Sequence, residues 1–337
     1  MSVAKRFTSP AVLCGLLLVC FALLVFRVVW PADQVIQSND YNYGLMGMYK
    51  AELPASFFEG FWRGFPLLGR AGHAAPTWTN LSLALLPLDF YMDWIYAVNL
   101  LLASGFLIAF LRLRGCNWIP AAGGALTAYW LGSNLTLIYP GHLEKYGVLV
   151  FASATLFCLE KTLQKQSWRW SVLSGGALGW MFMHQADLAL FFGFVLGAWF
   201  VTGWCTRFKA KLPKRLGILI PLLATSFLFA YESYHFSMKN HVNNVEILQQ
   251  GSAEEKWNFA TQWSWPPEES LDFIAPGYWG WRSEHLEVPY HGRMGQSAEW
   301  EETRRGFPNF KLESQYLGIL PLSLVLFALF SSRNRRR

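Results

Sequence analysis

Eight apolar runs set the first bound on this chain, at residues 11–30, 92–111, 118–138, 146–160, 170–184, 187–204, 216–236 and 315–331. A helix of roughly 20 apolar residues matches the ~30 Å thickness of a bilayer's hydrocarbon core. Backbone that enters lipid must satisfy its own N–H and C=O groups, which leaves helices for runs of this kind. Charged residues make up only 15% of the 337 residues, where a soluble domain carries about a quarter. The expected fold class is all-α: a polytopic integral membrane protein with about eight transmembrane helices.

Charge placement gives the expected orientation. With the N-terminus in the cytoplasm, the inside segments hold 16 of the 28 Lys and Arg residues: Lys5, Arg6, Arg112, Arg114, Lys161, Lys165, Arg169, Arg207, Lys209, Lys211, Lys214, Arg215, Arg333, Arg335, Arg336 and Arg337. This is the positive-inside pattern. Of the 22 acidic residues only Glu160 falls inside, and all seven histidines fall outside or at the outer boundary. Reading 170–204 as one span would reverse the last two crossings and spoil that partition, so two helices are expected, broken near MHQAD. The net charge of +6 is thereby a topology signal, with no nucleic-acid footprint.

The run AVLCGLLLVCFALLVF is long and no small-x-small cleavage site follows it, which predicts an uncleaved signal anchor. The five cysteines lie in apolar runs or on the inner side, so no disulfide framework is expected. Three regions follow. Residues 1–236 form a membrane core of seven helices with a first outer loop; 237–314 form a Trp-rich outer loop or small cap; 315–337 form the last helix and a basic tail. In the first outer loop, LPASFFEGFWRGFPLL is expected to lie amphipathically in the interface, Trp62 and Phe65 at headgroup depth.

On this topology Asp40 follows the first helix, and YPGHLEKYG brings His142, Glu144 and Lys145 to the outer turn before the fourth. His184, Gln185 and Asp187 occupy the turn between the fifth and sixth, and Glu232 and His235 end the seventh. Ionisable groups at the membrane are costly and read as functional by default. Each has a plainer reading. Asp40 alone is more often solvated than catalytic, GHLEKYG could be a polar hairpin, and HQAD a simple reversal. A Trp ring more often fills a core than stacks on sugar. Asp33 is the nearest competitor to Asp40. Glu144 is expected to point away or to pair with Lys145. No HExxH occurs, so a divalent cation could be held only from unlinked loops.

The order of several stretches resembles bacterial YfhO-like membrane proteins, whose architecture is similar to that of GT-C glycosyltransferases. These are DYNYGLMGMYKAELPASFFEGFW, PGHLEKYG, HQADLALFF, TQWSWPPEESLDFIAPGYWGW, YHGRMGQ and FPNFKLESQYLGILPLSLVLF, spread over about residues 38 to 330. The resemblance implies an enzyme that takes a sugar from a polyprenyl-phosphate donor on the outer face of a bacterial cell membrane, for a glycan or other envelope acceptor. It places the acid–base role on Asp40. It makes His142, Lys145, His184, Gln185, Asp187, Trp265 and Glu268 candidate substrate contacts, with no metal ligands named and a divalent cation left open. YfhO-like chains run longer, with further helices after QYLGILPL, so a short, split or truncated version is expected. The alternatives are a flippase for lipid-linked glycans and a non-catalytic part of a longer protein.

Overall fold

The computed structural model describes residues 9–31, 34–38, 40–58, 61–63, 70–72, 75–208, 211–237, 250–261, 264–281, 290–292, 302 and 315–334. Asp33, Phe65, Trp263 and Trp300 lie outside the described residues, as do the side chains of Trp62 and Glu232. Among the described residues the regular structure is helical apart from one short antiparallel hairpin, β1 (Phe61–Arg63) on β2 (Arg70–Gly72), in which Trp62 pairs with Ala71. Contacts divide it into two compact units, residues 1–129 with 142–239, and 130–141 with 240–337.

The first unit begins with α1 (Pro10–Val25), where Ser9 accepts from the Val12 amide and Pro10 opens the first turn. Such a start satisfies one orphan donor and uses a residue that lacks another. Two short helices follow, α2 (Tyr43–Glu52) and α3 (Trp78–Leu85), capped by Asn42 and Thr77. The ammonium of Lys50 on α2 donates to the carbonyls of Leu83, Ala84 and Leu86 at 2.5, 3.2 and 2.7 Å. It thus closes the C-terminal end of α3, where carbonyls have no partner within the helix.

The long helices are α4 (Leu88–Leu113), α7 (Leu143–Lys165), α9 (Ala186–Arg207) and α10 (Leu212–Ser237). Among the described residues these four include stretches long and apolar enough to cross a membrane. Each of the eight apolar runs contains a helix, but in the other four it is only 16, 12, 17 or 16 residues long: α1, α5 (Trp118–Tyr129), α8 (Trp168–His184) and α12 (Ile319–Asn334). At ~1.5 Å per residue, 16 residues reach about 24 Å, short of the hydrocarbon core. The run 118–138 is therefore not one helix. α5 stops at Tyr129, Leu131 is extended, and a short α6 (Gly132–Leu135) begins at GSN. Gly, Ser and Asn are weak helix formers, which accounts for the interruption.

The expected break inside 170–204 is present. Gln185 has φ −156° and ψ 106°, ending α8 and starting α9. The core of this unit joins α7, α8, α9 and α10 through Val148, Ala152, Leu159, Met181, Ala189, Leu196 and Leu222. A second cluster joins α1, α4 and α5 through Leu18, Ile108, Ala121 and Ala125.

The tightest seam runs between α8 and α10. Ser171, Gly175 and Gly179 recur every fourth residue and share one face. A Cβ at Gly175 would stand 2.1 Å from the Leu222 carbonyl oxygen, and one at Gly179 would stand 2.4 Å from that of Ser226. The Ser171 hydroxyl donates to the Ile218 carbonyl, and that of Thr225 to the Val172 carbonyl at 3.2 Å. Small residues let helix backbones approach where lipid offers no hydrophobic contrast.

In the second unit, α11 (Ala253–Thr261) precedes a 3-10 turn at Pro267–Phe273. The Tyr290 ring packs with Trp265 and Trp279, and its hydroxyl lies 2.9 Å from both oxygens of buried Glu269. Burial pushes the Asp272 carboxyl up, against the pull of the Trp279 and Tyr278 amides that it accepts from.

Candidate functional site

The first unit gathers polar groups where α7 begins and α8 ends. Asp40 sits in a turn closed by Ser38, whose hydroxyl donates to the Tyr41 carbonyl at 3.0 Å and accepts the Tyr41 amide at 3.2 Å. The Asp40 carboxylate is 65% exposed, and its Oδ2 lies 3.6 Å from Nε2 of His142. The first-loop acid and the GHLEK turn are therefore neighbours, although 102 positions separate them in the sequence.

That turn is built locally. Gly141 takes a φ of +88°, a left-handed value that suits glycine. His142 then stands at the N-cap of α7, and Glu144 and Lys145 fall in its first turn. A carboxylate here lies at the positive end of the helix dipole.

Glu144 does not pair with Lys145. Its Oε2 lies 2.5 Å from Nδ1 of His184, and its Oε1 accepts the Thr79 hydroxyl at 2.6 Å. Thr79 is itself 2.8 Å from the Thr77 hydroxyl, which caps α3. Lys50 holds the far end of α3, and the Trp180 indole N–H donates to the Pro76 carbonyl at 3.1 Å. Thr79 is thus fixed from both ends of its helix, and Glu144 through it.

His184 is enclosed. Its side chain has no exposed surface, while 29% of Glu144's is exposed. Its ring stacks on Phe151 at 5.4 Å, Phe151 on Trp180 at 5.0 Å, and Trp180 on Phe229 at 6.0 Å. The other face of the site is a notch at Gly147, where a Cβ would meet the imidazole at 2.2 to 2.6 Å. Among the described residues Nε2 of His184 meets no hydrogen-bonding partner. A buried orphan N–H is rarer than an orphan acceptor. The neutral tautomer that carries its proton on Nδ1 and donates to Glu144 fits this geometry best.

Tyr41 lies close enough to Glu144 to feel its charge. Desolvation first, with Tyr91 and then Glu144 adding, pushes the Tyr41 phenol well above its ordinary value, so it stays a protonated donor at neutral pH.

The other candidates are more loosely engaged. Gln185 donates to Asp187 at 3.4 Å at the head of α9. Trp265 stacks on Phe273 at 5.4 Å and donates to the Ser270 hydroxyl at 3.1 Å; the Glu268 carbonyl accepts the Trp279 indole N–H at 3.2 Å. These two belong to the second unit. Among the described residues no three His, Cys, Asp or Glu side chains converge as metal ligands.

Thr79 and Gly147 escaped the sequence reading, as did the partners of Glu144. The available signal was spacing. Glu144 and Gly147 are three apart on α7 and share a helix face.

The opposite end of the same helices carries the reverse charge. Glu160 is fully buried and meets Arg207 at 2.7 and 3.1 Å, Arg114 at 3.3 Å and Gln164 at 2.9 Å. The one acid expected on the basic side is there to neutralise two arginines.

Comparison with known proteins returns no matching family model, no matching curated protein and no matching solved structure.

Proposed function

We propose that the protein is a GT-C-type membrane glycosyltransferase, akin to YfhO-like proteins, that moves a sugar from a polyprenyl-phosphate donor to an extracytoplasmic acceptor. In this reading all eight apolar segments serve the membrane core of a bacterial cell-membrane protein. Both termini are cytoplasmic, and the Asp40 end faces outward. The observation that carries the reading is the 3.6 Å approach of Asp40 to His142. An acid from the first loop meets a cationic turn at the head of a membrane helix.

The chemistry needs both. An acceptor hydroxyl must lose a proton as it attacks the anomeric carbon, and a carboxylate is a suitable acceptor for it. The departing lipid phosphate needs positive charge or N–H donors at headgroup depth. Lys145, His142 and the N-terminal end of α7 offer these at one place.

The test is purified protein with a panel of polyprenyl-phosphate sugars, scored for transfer. Asp40→Asn should lower turnover about 10²- to 10⁴-fold with expression unchanged. Lys145→Gln should raise the donor KM about ten- to a hundredfold, the value of one charge-assisted phosphate contact. Near-parental turnover in Asp40→Asn removes Asp40 from the chemistry. Parental donor affinity in Lys145→Gln reduces the turn to a hairpin.

A further inference from the structure

From the geometry around α7 we infer that Glu144 is a second carboxylate of this site and its proton acceptor, with His184 and Thr79 as its positioning residues. The inference rests on the glycosyl-transfer reading above and reassigns the base within it.

The two carboxylates differ in what orients them. Asp40 is 65% exposed, and His142 is its ion-pair neighbour at 3.6 Å. A side chain so placed keeps its freedom to rotate. Glu144 has each oxygen fixed by a different helix, Oε1 by Thr79 on α3 and Oε2 by His184 on α8. Its remaining lone pairs and its 29% exposure leave it open to one side. A catalytic group held by locked neighbours is one that needs no reorganisation at the moment of reaction.

The neighbours are themselves locked. His184 is pressed between the Phe151 ring and the Gly147 notch. Nothing in an apolar core requires an imidazole there, and a buried Nε2 without a partner among the described residues is a cost. The arrangement is explained if His184 is kept for what Nδ1 does to Glu144.

In the reaction, Glu144 takes the proton of the acceptor hydroxyl while the acceptor oxygen forms its bond to the anomeric carbon. The bond from that carbon to the phosphate oxygen breaks, and the lipid phosphate leaves with the electron pair. The proton passes from Glu144 to water at its exposed side. Asp40 then acts on His142, keeping that imidazole oriented toward the departing phosphate.

Other titratable groups around the pair are Asp40 and Tyr41 from the first loop, Tyr91 and Tyr96 from α4, and His142 and Lys145 beside Glu144 in the sequence at the head of α7; Asp187 follows His184 in the first turn of α9. The tyrosines feel the charge of Glu144, and α3 contributes only the Thr79 hydroxyl.

The experiment measures kcat and KM against pH for the parent, Glu144→Gln, Glu144→Asp, His184→Leu and Asp40→Asn, each in detergent and checked for a parental melting profile. Glu144→Gln should lose at least a hundredfold in kcat with little change in KM, and should lose the acid limb of the profile. Glu144→Asp should keep the limb at reduced kcat, which restores chemistry where a merely structural role would not. His184→Leu removes a donor that favours the charged carboxylate, so the limb should move to higher pH. A Glu144→Gln variant with parental kcat and limb, beside an Asp40→Asn variant that has lost both, overturns the assignment and leaves Asp40 as base. Should Glu144→Gln fail to fold, the His184→Leu limb decides: an unmoved midpoint overturns the assignment. A parent that transfers sugar from no donor overturns the glycosyltransferase reading and the assignment together.

Discussion

Gly147 lies so close to the imidazole of His184 that a Cβ added to it would stand 2.2 Å from Nδ1. The same nitrogen is 2.5 Å from Glu144, one turn earlier on α7. Removing one hydrogen atom's worth of clearance therefore evicts the ring from its carboxylate.

Gly147→Ala makes this measurable. Gly to Ala inside a helix ordinarily stabilises by about 1 kcal/mol. Overpacking a filled site costs about 1–3 kcal/mol, and this site also loses a hydrogen bond. The expected result is a lower melting temperature and a changed ¹⁵N shift for His184 in histidine-labelled protein. A raised melting temperature with an unchanged His184 signal would show that the notch is not filled as described.

The α8–α10 seam allows a control within one helix. At Gly175 and Gly179 a Cβ meets a backbone carbonyl at 2.1 and 2.4 Å, whereas at Gly176 its nearest neighbour is the Phe229 ring at 3.8 Å. Gly175→Ala and Gly179→Ala should each destabilise by about 1–3 kcal/mol. Gly176→Ala should be neutral or slightly stabilising, by the helix-propensity gain of up to about 1 kcal/mol. Thermal unfolding of the three variants in one detergent is sufficient. Equal effects at 175 and 176 would remove the seam from the account.

At the other end of α7, Arg207 and Glu160 should behave as a coupled pair. Arg207→Gln leaves a fully buried carboxylate with Arg114 as its remaining cation. Breaking a buried pair from one side costs about 3–5 kcal/mol, while replacing both partners costs much less. Arg207→Gln and Glu160→Gln should each lower stability, and the double variant should be more stable than the sum of the two predicts. Strict additivity in that cycle would mean that the pair contributes no coupling.

What the sequence made legible follows from the range of the interactions. Long apolar runs report helices because the pattern is local, so each run contains a helix, four of them of membrane-crossing length among the described residues, and the break at Gln185 was read from charge balance. The meeting of Asp40 with the GHLEK turn followed from orientation. Glu144 was expected to point away or to pair with Lys145; its partners were not legible because they lie 65 and 40 positions away, on α3 and α8, whereas Lys145 is adjacent. Adjacent residues on a helix do not face each other, and that rule alone argues against a Glu144–Lys145 pair. Gly147 was opaque for a different reason: a glycine's use as empty space depends on the ring that fills it. The run 118–138 was overextended because hydropathy registers Trp130 and Leu131 as apolar and is blind to the turn at GSN.

The orientation itself is open to a direct measurement. Asp40, His142, Glu144 and His184 meet where α7 begins, and Glu160, Arg114 and Arg207 meet near where it ends. On the proposed orientation the positive-inside rule predicts that the arginine end faces the cytoplasm. In a background with Cys14, Cys20, Cys116, Cys158 and Cys205 replaced, three exposed positions report the two sides: Ala51 in the first loop, Ser252 before α11, and Lys165 at the end of α7. Ala51→Cys and Ser252→Cys should react with an impermeant maleimide in intact cells. Lys165→Cys should react only after the cells are opened. Labelling of Lys165→Cys alone in intact cells would turn the Asp40–Glu144 end toward the cytoplasm. An outward-facing transferase would then be excluded, whatever the fate of the Glu144–His184 pair.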